Sequence, residues 1–126
     1  MLSVALLTLA AALPQAAVDQ ALAALERHYI EREIYSPVRC RSAEGPTRAW
    51  LRCTASGLDA PIGGLFFVLP DENGKPHIWA GNGRAKQHLG QATILPDADG
   101  LPVAAGQWEG DPVDLSEGFE AFGVAQ

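Results

Sequence analysis

Two cysteines, Cys40 and Cys53, carry the clearest chemistry in this chain. They fall in a predicted hairpin, Val38 to Ser42 and Arg48 to Ala55, joined by a turn containing Glu44, Gly45 and Pro46. Side chains alternate along a strand, so Val38 and Cys40 share one face and Arg39 and Arg41 the other. On the second strand Leu51 and Cys53 share the apolar face. Both thiols therefore meet on the same side, as a bridge between neighbouring strands requires. Closing this loop should stabilise the fold by about 3 kcal/mol in the chain-entropy model. The rival reading is a pair of buried free thiols. A structural zinc site would need several histidines near these cysteines, and none is suitably spaced, so no metal is expected.

The opposite face of that hairpin carries Arg39, Arg41, Arg48, Trp50 and Arg52. Arginine with tryptophan is the composition of interface anchors and of anion sites, which makes Arg39, Arg41, Trp50 and Arg52 the candidate partner or anion surface. The competing reading is that an acidic segment of the same chain covers this face. From Pro37 to Thr54 there are four arginines against one acid, Glu44, whereas Asp97 to the C-terminus holds seven acids and no base. Neutralisation, within the chain or between copies, follows as the simplest expectation.

Weaker candidates are scattered. His77 and Trp79 share a face of one strand and His88 follows some way on, but no serine, free thiol or carboxylate is placed beside them by a motif. Residues 81 to 86, GNGRAK, could cradle an anion with backbone amides at the start of a short helix, Arg84 to Leu89, aided by Arg84 and Lys86. They lack the third glycine of a dinucleotide motif and the spacing of a Walker loop. The turns DENG and DADG suggest part of a calcium loop, but the remaining ligands are missing, and hairpin turns explain them better. No cofactor is expected.

These residues need elements to hold them. Asp19 can cap a helix whose apolar positions Val18, Leu22, Leu25 and Tyr29 recur at helical spacing, which predicts an N-terminal amphipathic helix with His28 on its solvated side. VLPDENGKP (68–76) and ILPDADGLP (94–102) repeat one pattern, each reading as a strand, a tight turn with a glycine at positive φ, and a strand. Two copies are too few for a solenoid and read as two similar hairpins in one sheet. Leu65 to Leu69, LFFVL, is apolar on both faces and should be a central strand. One cover would be the N-terminal helix, the other a C-terminal segment with Leu115, Phe119 and Phe122. The expected class is α+β, an amphipathic helix on an antiparallel sheet of about five or six strands.

Residues 1–17 read as a signal peptide, with an apolar run broken at Pro14 and small residues Ala16 and Ala17 at a cleavage site. No base precedes the run, and Gln15 is not the small residue preferred before the cut. The run is short for a membrane span. Residues 18–126 then form one globular domain in a periplasmic or secreted setting that permits a disulfide. A net charge of −6 argues against generic nucleic-acid binding. The expected function is an exported, non-catalytic binding or accessory protein whose partner is another envelope or secreted protein. One alternative is a small extracytoplasmic enzyme using His77 or His88; the other is a subunit of an envelope assembly.

Overall fold

A computed structural model describes residues 13–32, 37–55 and 60–123. The apolar run up to residue 12 lies outside them. Helix α1 spans Gln15–Glu31 and is rich in alanine, the best helix former. It begins earlier than expected: Pro14, extended at φ −65°, stands at the N-cap without a side-chain cap. Asp19 is thus inside the helix, where its carboxylate accepts a 2.9 Å hydrogen bond from Gln15 Nε2. Val18, Ala21, Leu25, His28 and Tyr29 form the buried stripe, and Leu13 packs against the same core. The small alanines let the helix approach the sheet closely.

Six strands follow: β1 (Val38–Glu44), β2 (Ala49–Ala55), β3 (Ala60–Pro70), β4 (Pro76–Ala80), β5 (Ile94–Pro96) and β6 (Pro102–Gln107). Their order in one sheet is β1-β2-β3-β4-β6-β5. All neighbours run antiparallel except β4 and β6, which pair in parallel with His77 opposite Ala104. That departure from a simple meander has a topological cause. Helix α2 (Gly83–Leu89) intervenes between the two hairpins, so the second hairpin returns beside the first with its later strand inward.

The LPD repeat is two copies of one turn. Asp71 Oδ1 accepts the N–H groups of Asn73 and Lys75, and Asp97 Oδ1 accepts those of Asp99 and Leu101, all at 2.8–2.9 Å. Gly74 and Gly100 take φ of 77° and 82°, a region where a Cβ is strained. The amide of Lys75 lowers the Asp71 pKa below the ordinary value, the Asn73 amide and nearby charges acting the same way against partial burial. Asp97 is likewise lowered: burial acts to raise it but is outweighed by the Leu101 and Asp99 amides and Gln20. Each aspartate spends its oxygen on its own turn, which is the hairpin reading and not the calcium one.

Both faces of the sheet are covered. Phe66 and Val68 of β3 face α1 with Leu51, Cys53, Ile78 and Val103. Leu65 and Phe67 face the other way, with Trp50, and helix α3 (Leu115–Ala121) closes this second layer through Leu115 and Phe119. The central position of LFFVL and the covering role of the C-terminal segment are both as expected. Asp114 caps α3, its Oδ1 accepting from the Ser116 amide at 3.1 Å and from the Ser116 hydroxyl.

Candidate functional site

Cys40 and Cys53 are disulfide-bonded. They sit directly opposite each other in the β1–β2 register, on the face toward α1. Their Cα atoms are 3.9 Å apart, closer than the roughly 4.4–6.8 Å usual for bridges. The close approach belongs to a non-hydrogen-bonded antiparallel pair, in which backbones draw in to about 4.5 Å. In such a pair the Cys40 amide points away from β2, toward the open edge of the sheet. It donates there to Glu26 Oε2 of α1 at 2.8 Å. A helix carboxylate thus occupies the middle of an edge strand that would otherwise present free donors.

The other face of the same two strands holds the arginine row. Arg41 lies directly opposite Arg52, a like-charge pair that is unfavourable in a sheet. Trp50 is fully buried beneath α3. Glu117 reaches back to this corner, accepting from the Thr47 amide at 3.1 Å and the Thr47 hydroxyl at 2.9 Å, with Trp50 Nε1 at 3.5 Å. The arginines themselves meet rings, not acids. The Arg41 guanidinium lies 5.5 Å from the Phe122 ring centre and that of Arg52 5.4 Å from Phe119. Arg48 is 4.6 Å from the Phe67 ring. Such cation–π contacts contribute about 0.5–1 kcal/mol when exposed and more when desolvated. Arg52 is only 8% exposed, and burial together with the Arg41 charge lowers its pKa from the ordinary value. Arg39 and Arg41 are exposed. Among the described residues the single ion pair within 4 Å is Arg27–Glu31 on α1. The expected neutralisation of this face by acids of the same chain is therefore not what covers it. α3 covers Trp50 with its apolar side; its Glu117 is taken up by Thr47, and Glu117 and Glu120 line, with Glu44 and Asp114, a nearby concavity of about 450 Å³.

No known protein family, curated protein or solved structure matches this chain. The site must be read from its own chemistry.

His77 and Trp79 do come together, their rings stacked at 3.8 Å and 6°. Trp79 in turn meets Trp108 edge-on at 5.2 Å. Burial lowers the His77 pKa, opposed by the charge of Asp71, and its Nε2 is buried with no hydrogen-bond partner in the structure. His88 lies on the opposite side of the sheet, in α2 against α1, so the two histidines do not converge. Arg84 and Lys86 are exposed on α2. One of the backbone amides expected to cradle an anion, that of Ala85, is taken: Asn82 Oδ1 accepts from Ala85 N at 2.9 Å and Leu65 N at 3.2 Å, while its Nδ2 donates to Gly63 O at 3.0 Å. Asn82 is a helix cap that also ties α2 to β3. Among the described residues no group of three or more His, Cys, Asp or Glu side chains is placed to hold a metal ion.

His28 is the main departure from the sequence reading. It is buried, not solvated, because the short helix α2 packs against that side of α1. Its Nε2 lies 3.0 Å from the carbonyl of His88, which can only accept, so this nitrogen carries the proton. The Tyr29 hydroxyl lies 2.8 Å from His88 Nδ1. For His28, burial lowers the pKa more than the His88 carbonyl raises it, with Arg32 lowering and Glu31 raising it further. For His88, burial is joined by the charges of Arg84 and His28. The unfolded chain therefore takes up protons at a higher pH than the folded one. Stability from these groups is complete above the ordinary histidine value and falls as the pH drops through it. The melting temperature should decline between about pH 7 and about pH 5. His77, lowered by burial in the same way, adds to the decline, and a flat profile across that interval would mean that folding leaves the proton affinity of all three histidines unchanged.

Proposed function

We propose that the chain is an exported, non-catalytic binding or accessory protein whose recognition surface is the arginine face of the β1–β2 hairpin. The observation that carries this reading is the Cys40–Cys53 disulfide, which persists in an oxidising compartment and rigidifies the two strands that present Arg39 and Arg41. The apolar, charge-free start of the sequence supports the same compartment. No helix among the described residues is long and apolar enough to cross a membrane. The exported form should begin between Leu13 and Asp19. A chain that begins at Val18 lacks Leu13, which lines a groove of about 310 Å³ with Val18, Val68 and Leu69.

Recognition would use Arg39 and Arg41 as exposed contacts and Arg52 as a buried foundation. Arg52 is a poor site for charge reversal, since an acid there would be buried against Phe119. The test is affinity capture from extracytoplasmic extract with the oxidised protein and with R39E/R41E. A bound species retained by the parent and lost by R39E/R41E, at an unchanged melting temperature, is the expected result. Equal capture by both would remove the arginine face from the reading.

A further inference from the structure

The two charged halves of this sequence remain unreconciled within one chain. Arg39, Arg41 and Arg52 have no carboxylate within ion-pair reach among the described residues, although α3 brings Glu117 and Glu120 onto their side of the sheet. Both partners of a complementary contact are nevertheless held ready. On the basic side, Phe119 and Phe122 seat the Arg52 and Arg41 guanidinium groups, and Arg39 projects two residues from Arg41 on the same strand face. On the acidic side, Glu109 and Asp111 are exposed two residues apart on the turn after β6. That turn is fixed: Trp108 Nε1 donates to the Asp111 carbonyl at 2.8 Å, and the indole lies across Gly110, where a Cβ would fall 2.5 Å from Cζ2. Trp108 also packs on Phe67 and Trp79, which places the turn over β3 and β4, apart from the arginines on β1 and β2.

We infer that the protein self-associates head to tail, the Glu109–Asp111 turn of one copy docking on the exposed Arg39 and Arg41 of the next, with Arg52 buried beneath them. This deepens the proposed recognition role of the arginine face, on which it rests, by naming a second copy of this chain as the occupant. What supports it is charge complementarity between two exposed surfaces, one on a turn whose backbone Trp108 holds and the other with Arg41 seated on Phe122. The net charge of −6 repels at long range, but at physiological salt that repulsion is screened beyond about 8 Å and the contact pairs decide. A patch meeting a different patch is a heterologous contact, which extends into rings or filaments and does not stop at a symmetric dimer.

Sedimentation equilibrium of the oxidised protein tests this. The mass of the parent should rise with concentration, while R39Q/R41Q and E109Q/D111N should each associate at least about tenfold more weakly, at unchanged melting temperatures. Mixing the two variants restores one intact contact and no second one, so a complex of one copy of each is expected to form and grow no further. A parent that stays monomeric throughout overturns the inference, as does a parent whose association neither variant weakens. The capture experiment separates the levels. Monomeric parent with capture lost in R39E/R41E leaves the arginine face a recognition surface for a different protein; monomeric parent with capture unchanged removes both.

Discussion

Replacing Cys40 and Cys53 together by serine should lower stability by about 3 kcal/mol, the chain-entropy value for a loop of this length. In a domain of this size that corresponds to a fall in melting temperature of about 10 °C or more. Two features make the loss larger, not smaller. Both sulfurs are buried, Cys53 at 1% exposure, so two hydroxyls would enter the apolar layer beneath α1. The bridge also fixes the register of β1, an edge strand held otherwise by β2 and by the Glu26 carboxylate on the Cys40 amide. Thermal melting of oxidised and reduced parent beside the double variant checks this. Reduced parent should melt well below the oxidised form, and the double serine variant lower still. A reduced protein as stable as the oxidised one would mean that packing alone holds the hairpin.

The second large effect is expected at Gly118, inside α3. Helix propensity alone says that alanine there stabilises by up to about 1 kcal/mol. The contact says the opposite. A Cβ at Gly118 would lie 2.7 Å from Trp50 Cε3 and 2.8 Å from Leu65 Cδ2, distances that real Cβ atoms do not adopt. Trp50 and Leu65 are both fully packed, so α3 must lift and overpacking of this kind costs about 1–3 kcal/mol. Gly118→Ala should therefore destabilise, and Trp50 emission should shift to the red as its cover rises. Glu120→Ala, exposed on the same helix, should do neither. A stabilised Gly118→Ala protein with unshifted emission would mean that α3 is loosely held. In that case the rings of Phe119 and Phe122 could not be what orders Arg52 and Arg41.

Much of the frame was legible because it follows from periodicity. The run LFFVL has no polar face, and only a strand covered on both sides accommodates it; Phe66 and Phe67 are indeed buried on opposite faces. Alternation alone put both cysteines on one face, and the repeated Leu-Pro-Asp with its glycine specified two like turns. What periodicity cannot carry is the pairing of elements distant in sequence. The parallel contact of β4 with β6 depends on how α2 steers the chain, and no local residue encodes it. The burial of His28 has the same origin. A histidine beside Glu26, Arg27 and Glu31 reads as solvated until the seven-residue α2, too short to show a clear amphipathic pattern, is found packed there. The arginine face was half legible. Charge counting suggested acids as its cover, whereas the covering helix offers phenylalanine rings at Phe119 and Phe122, a spacing that places both on one helical side. The tie between Glu26 and the Cys40 amide left no sequence signal, because it joins a side chain to a backbone group.

Export with a closed disulfide is the claim on which the functional reading depends, and intact mass tests it most directly. Protein recovered from the extracytoplasmic fraction is treated with a thiol-blocking reagent under denaturing, non-reducing conditions and then weighed. The expected mass is that of a chain beginning between Leu13 and Asp19, with no reagent on Cys40 or Cys53. A mass that retains Met1, or one carrying reagent on both cysteines, would contradict it.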